Sequence, residues 1–196
     1  MDLMAIVLTK GQKLDMGLAR IKVGLGWDPN PAMSNHSFDL DVSLFLLNAQ
    51  RQIPSEQHLV FYNNPLSPDQ AICHTGDDRS GGNSDGDDEV ITLDLAQVSH
   101  EVQEILFVVT IHDAVARRQN FGQVRNAYIR ICDQNNQDAE LAKYELDEDF
   151  SVESSVEFGR LYKRNGQWRF EASGMGYRQD LAYFVGLYAP HLEVHN

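Results

Sequence analysis

Asn165-Gly166 stands between two alternating segments, Val156-Glu157-Phe158-Gly159-Arg160-Leu161-Tyr162 before it and Gln167-Trp168-Arg169-Phe170-Glu171-Ala172 after it. A type I′ turn needs positive φ at both central residues, which Asn and Gly tolerate, and its twist matches that of paired strands. This stretch predicts an antiparallel hairpin. A chain with a hairpin of that length must find partners for its edges and a cover for its apolar face.

Other short runs supply them. Residues 5–9, 21–27, 38–47, 58–62, 71–74, 90–95, 127–132 and 141–146 read as strands, rich in apolar residues and often alternating with polar ones. In 38–47, Leu40, Val42, Leu44 and Leu46 share one face, with Asp39 and Asp41 on the other. Residues 105–111 are almost wholly apolar and predict a central strand covered on both faces. Turn formers separate the runs: Lys10-Gly11-Gln12-Lys13, Asp28-Pro29-Asn30-Pro31, Asn63-Asn64-Pro65, Asn120-Phe121-Gly122, the polar stretch 133–138 and Asp147-Glu148-Asp149. Gly174-Met175-Gly176-Tyr177 is expected to break the strand pattern, and Ser99-His100-Glu101-Val102 to form a helical turn capped by Ser99. Residues 180–188 predict a helix with Leu181, Phe184, Val185 and Tyr188 facing inward, stopping before Pro190. The fold class expected is all-β: a single-domain antiparallel β-sandwich over 1–196 with few short helices, including one near the C-terminus.

One loop is chemically unlike the others. Between Asp77 and Glu89 the chain carries six carboxylates, one arginine and three glycines. Two unit charges about 4 Å apart repel by roughly 1 kcal/mol even in bulk water. Such a loop is either a solvated acidic surface or a site whose charge a cation neutralises. Hard oxygen donors with no local Cys/His set favour Ca²⁺ over softer-ligand metals. The spacing is not that of an EF-hand: counting from Asp85, the twelfth position is Ala96 in place of a bidentate Glu. Further ligands must come from elsewhere, and Asp39, Asp41 and the Asn63-Asn64 turn are candidates.

The balance of 29 acids against 16 bases, a net charge of -13, argues against nucleic acid as a partner and disfavours direct docking on anionic lipid. No segment approaches the roughly 20 apolar residues of a membrane span. Residues 3–8 are too short, and lack the basic flank, for a signal peptide; the cytoplasm is the expected address. Cys73 and Cys132 make no disulfide framework and read as reduced thiols.

Several stretches match a known family, and in the same order. Lys10-Gly11-Gln12, Gly24-Leu25-Gly26-Trp27-Asp28, Phe38-Asp39-Leu40-Asp41, Phe61-Tyr62-Asn63-Asn64, His74-Thr75-Gly76-Asp77, Asp85-Gly86-Asp87-Asp88-Glu89, Ile111-His112-Asp113-Ala114, Asn120-Phe121-Gly122-Gln123-Val124 and Phe158-Gly159-Arg160-Leu161-Tyr162 together resemble the TerD family over nearly the whole chain. The resemblance implies a calcium-binding β-sandwich of the bacterial tellurite-resistance and general stress-response system, with no enzymatic reaction. It implies a cytoplasmic protein whose partners are related Ter-family proteins at the inner membrane face, without insertion into the membrane. It also implies two Ca²⁺ ions, held by Asp28, Asp39, Asp41, Asn63, Asn64, Gly76, Asp77, Asp85, Asp87, Asp88 and Glu89. The family pattern Gly-Asp-Asn-Leu-Thr-Gly-Glu-Gly before Asp-Gly-Asp-Asp-Glu is replaced here by 76–84, one residue longer and without that Glu.

Two function classes follow. In one the protein is a metal-ordered binding or scaffold module; in the other it is a metal-dependent hydrolase with the carboxylates as a two-metal site. His112-Asp113 could be half of a catalytic set, yet no nucleophile motif such as Gly-x-Ser-x-Gly accompanies it. No His-x-x-x-His, Cys-x-x-Cys or Walker A pattern occurs, and Gly24-Leu25-Gly26 fails the dinucleotide fingerprint. Direct capture of tellurium oxyanions is weakened by the acidic charge and the small number of soft ligands.

Overall fold

A computed structural model describes residues 6–7, 9–17, 20–28, 38–76, 86–146 and 150–192. Two six-stranded sheets face each other. The first contains β1 (Ile6–Val7), β3 (Arg20–Asp28), β6 (Ile72–Gly76), β7 (Glu89–Asp94), β9 (Arg125–Asp133) and β10 (Ala139–Glu145), in the order β1-β10-β9-β3-β7-β6. The second contains β2 (Lys13–Gly17), β4 (Leu40–Leu47), β5 (Leu59–Val60), β8 (Glu104–Ile111), β11 (Ser155–Arg164) and β12 (Gln167–Tyr177), in the order β2-β12-β11-β8-β4-β5. Every pairing is antiparallel except β1 with β10. The all-β sandwich read from the sequence is the fold.

The alternation explains the layers. Leu25, Leu40, Phe107, Ile129, Phe158 and Phe170 point between the sheets and form the main core. The β11–β12 hairpin turns through Asn165 and Gly166, with φ of 52° and 76°. All eight residues of β8 are buried, as its apolar run requires. One face of β8 meets the core, while Leu106 and Val108 join Phe45 and Leu47 on the far face of the second sheet. The helix α2 (Leu181–Tyr188) covers that face. Asp180 caps it by accepting from the Tyr183 N–H, and Phe184 packs edge-on against Tyr177 with ring centroids 5.2 Å apart.

Several stretches differ from expectation, among them β2, where the sequence predicted no strand. Residues 58–62 form only the two-residue strand β5, because Phe61 and Asn64 exchange backbone hydrogen bonds in a tight turn. The glycines at 174 and 176 do not end β12, which runs on to Tyr177. They are places where neighbouring side chains approach: a Cβ at Gly174 would lie 2.6 Å from the Tyr144 hydroxyl, and one at Gly176 2.9 Å from Phe150. Residues 99–102 make a single turn, closed from the Val102 N–H to the Ser99 carbonyl, with no helix following. A four-residue helix, α1 (Ala114–Arg117), follows β8 instead. The expected turns at 29–31 and 147–149 lie outside the described residues. Both cysteines are free, Cys132 buried and Cys73 half-buried. Among the described residues no helix is long and apolar enough to cross a membrane.

Phe184 is fully buried between α2 and the sheet. Phe184→Ala is expected to destabilise the protein by about 3–5 kcal/mol, the usual loss for an emptied aromatic site. Denaturant unfolding measures it, and a loss below about 1 kcal/mol would contradict the packing described.

Candidate metal centre

The acidic residues gather at one end of the sandwich because strand ends coincide there. Asp28 closes β3 opposite Arg125, where β9 begins. Leu40 opens β4 opposite Ile111, where β8 ends, with Asp39 just before and His112 just after. Gly76 closes β6 opposite Val90, and Glu89 opens β7 opposite Leu25.

Asp87, Asp88 and Glu89 follow one another, and each takes a different direction. Asp87 turns onto the outer face of the first sheet. Its Oδ1 accepts from the Tyr128 hydroxyl at 2.9 Å and from Arg130 Nε at 2.8 Å, while Oδ2 accepts from Arg130 Nη2 at 3.0 Å. Burial works against the Arg130 charge, but the hydrogen bonds and charge of Asp87 outweigh it and raise the guanidinium's pKa. Burial also raises the Tyr128 pKa, with the Asp87 carboxylate adding to it, so the hydroxyl stays a donor. Asp88 lies along the sheet end: its N–H donates to the Leu25 carbonyl at 2.8 Å and its Oδ2 accepts from the Trp27 N–H at 2.9 Å. Glu89 points between the sheets and is 1% exposed. Its Oε2 accepts from the Val42 N–H of the opposite sheet at 2.7 Å, with His74 Nε2 3.6 Å away.

The other sequence-flagged residues are spread around this end. Asp28 is exposed and accepts from Asn126 Nδ2. Asp39 is half-buried, and its carbonyl accepts from the His112 N–H at 2.8 Å. Asp41 is buried, with Oδ2 4.0 Å from His112 Nδ1. Asn63 and Asn64 follow β5; Asn64 Nδ2 donates to the Leu59 carbonyl at 2.7 Å, and both residues line a groove beside α2. Gly76 contributes its place at the end of β6, while Asp77 and Asp85 lie outside the described residues.

Sequence reasoning missed Tyr128, Arg130 and His74, and the backbone donors of Trp27 and Val42. A signal for the first two was present in Gly24 and Gly26, which alternate on the outer face of β3. A Cβ at Gly24 would sit 2.1 Å from Asp87 Oδ2, and one at Gly26 2.5 Å from the Tyr128 ring. These glycines open the space in which Asp87 meets its partners.

Chemically, this end offers hard oxygens. An ionised carboxylate is a hard acceptor with about four lone-pair positions, and Asp88 and Glu89 are both groups of this kind. That donor chemistry fits Ca²⁺. Among the described residues, no three His, Cys, Asp or Glu side chains converge closely enough to hold a metal. A cation here would therefore draw on 77–85 as well.

Comparison with known proteins agrees on one family. The model of the TerD domain matches residues 4–188. The tellurium resistance protein TerD of Serratia marcescens is 45% identical over 190 residues, covering 94% of this chain and 97% of that protein. General stress protein 16U of Bacillus subtilis (strain 168) is 45% identical over 184 residues, covering 91% of this chain and 94% of that protein. The solved structure of a TerD homologue from Streptomyces coelicolor A3(2) superposes with a TM-score of 0.71 at 22% identity, covering 86% of this chain and 95% of that one, a likeness of fold.

The crowding at Gly24 can be tested by a double-mutant cycle. Gly24→Ala is expected to destabilise by about 1–3 kcal/mol, as overpacking does, and to do so much less in an Asp87→Ala background. Equal losses in both backgrounds, measured by denaturant unfolding, would contradict the placement of Asp87 over β3.

Proposed function

Because this chain belongs to the TerD family of tellurium-resistance and stress-response proteins, we propose that it works as a calcium-ordered binding or scaffold module in that response. Two Ca²⁺ ions would be held at the acidic end of the sandwich. Asp28, Asp39, Asp41, Asp88 and Glu89 would share them with Asp77 and Asp85 and with oxygens of Gly76 and the Asn63-Asn64 turn. Asp87 in this reading anchors the segment through Arg130.

The observation that carries the reading is the fixing of both ends of one acidic loop. Gly76 ends β6, and Asp87, Asp88 and Glu89 are each held by named donors, so the span that carries the remaining acids leaves and returns at one end of the sandwich. Mutual repulsion in that span is relieved by a divalent ion. The role needs no chemical step. The cytoplasm is the proposed site of action, with related family members at the inner membrane face as partners.

Calcium is expected to raise the melting temperature. A ligand that binds only the native state at a hundred times its Kd adds about 2.7 kcal/mol, or roughly 5–10 °C for a chain of this size. Calorimetry with calcium and with EDTA measures it, and identical melting temperatures would overturn the proposal. Asp88→Asn keeps an acceptor for the Trp27 N–H while removing the charge, and should weaken calcium binding. Asp94→Asn, at the far end of β7 beside Arg20, should not. Equal calcium affinity in both variants would count against this placement of the ions.

A further inference from the structure

The outer face of the second sheet carries a polar floor beneath the first turn of α2. Asp41 and Ser43 of β4 and Thr110 of β8 line a cavity of about 190 Å³ there. His112 and Asp113 border it from beyond β8, and Asp180 from the cap of α2. Leu181 and Ala182 supply an aliphatic wall.

Ser43 is the unexplained member. It is 1% exposed, and its Oγ has no hydrogen-bond partner. Buried hydroxyls are normally paired, and leaving one unpaired destabilises the fold. Its neighbours indicate which guest would satisfy it. Asp41, Asp113 and Asp180 set a negative field, which Arg117 offsets only in part. His112 Nε2 lies 3.3 Å from Asp113 Oδ2, and Arg117 Nη2 lies 3.8 Å from it. One Asp180 oxygen is engaged by the Tyr183 N–H at 3.2 Å. The field selects a cation, and the hydroxyls select one that donates hydrogen bonds. A bare metal ion is the poorer fit, since no three acidic or imidazole side chains among the described residues converge to hold one.

We propose that this cavity binds a primary alkylammonium group. Such a head carries three donors and no acceptor, matching the Asp41 carboxylate and the Ser43 and Thr110 hydroxyls. Its methylene stem lies against Leu181 and Ala182, as lysine stems lie along apolar surface elsewhere. The volume holds a handful of waters at roughly 30 Å³ each, and so a short unbranched amine. The group arrives as a free small amine or as the side chain of a partner's lysine. Asp41 also belongs to the acidic end, whereas Ser43 does not, so Ser43 is the residue through which this site is tested.

The experiment is a ¹⁵N NMR titration at neutral pH, with and without added calcium, so that this site and the metal reading fail separately. The probes are n-butylammonium chloride, lysine blocked at both backbone ends, and n-butanol. The expected result is saturable shifts at the Ser43, Thr110 and Leu181 amides with n-butylammonium and none with n-butanol. Binding of blocked lysine as well assigns the site to a partner's side chain; binding of the free amine alone assigns it to a small amine. Ser43→Ala should weaken binding about tenfold or more, the usual effect of losing a hydrogen bond to a charged group. No saturable shift with either amine, equal shifts with n-butanol, or unchanged affinity in Ser43→Ala would overturn the proposal. If that variant fails to fold, the comparison of amine with alcohol on the native chain still decides it.

Discussion

Three consecutive carboxylates pointing three ways hold the acidic end of this sandwich together. Asp87 grips β9 from outside, Asp88 closes the end of β3, and Glu89 crosses the interior to the opposite sheet. The last contact matters most. Beside β4, the strand β5 pairs only with Leu44 and Phe45, so the Val42 N–H has no strand partner on that side. A buried donor left unpaired costs about 1–3 kcal/mol, and the Glu89 carboxylate removes that cost with a charge-assisted bond. A side chain from one sheet thus completes the backbone pairing of the other.

That arrangement sets the electrostatics of the site. Arg130 offsets Asp87, and backbone dipoles meet Asp88 and Glu89, so the acids next to the loop are held before any ion is considered. The rim of the proposed site is thereby held in place by the fold itself. What a cation would neutralise is the run of acids that the sequence places between Gly76 and Glu89. The polar cavity under α2 lies on the outer face of the second sheet, and its field comes from a partly different set of acids.

The fold was readable in the sequence because its signals are local. Alternation placed most of the strands, Asn165-Gly166 placed the hairpin, and the apolar run at 105–111 marked the strand buried on both sides. The strand β2 escaped notice because Lys13 and Asp15 mask its two inward residues, Leu14 and Met16. At the candidate site, the order of acids along the chain was legible but their partners were not. Asp87 and Arg130 are 43 residues apart in sequence, and no local pattern announces such a pair. Gly24 and Gly26 did carry a trace of it, since alternate glycines on one face of a strand make room for something. Ser43 was hidden in another way: a serine in an apolar strand gives no sign of whether its hydroxyl has a partner.

The contact between sheets is the claim on which the rest turns, and amide hydrogen exchange at Val42 tests it most directly. In the native protein the Val42 N–H should exchange slowly, like the amides of the β4–β8 ladder. In Glu89→Ala it should lose that protection, while Leu44, paired within the sheet, keeps its own. A Val42 amide that exchanges rapidly in the native chain, or one equally protected in the variant, would contradict the account.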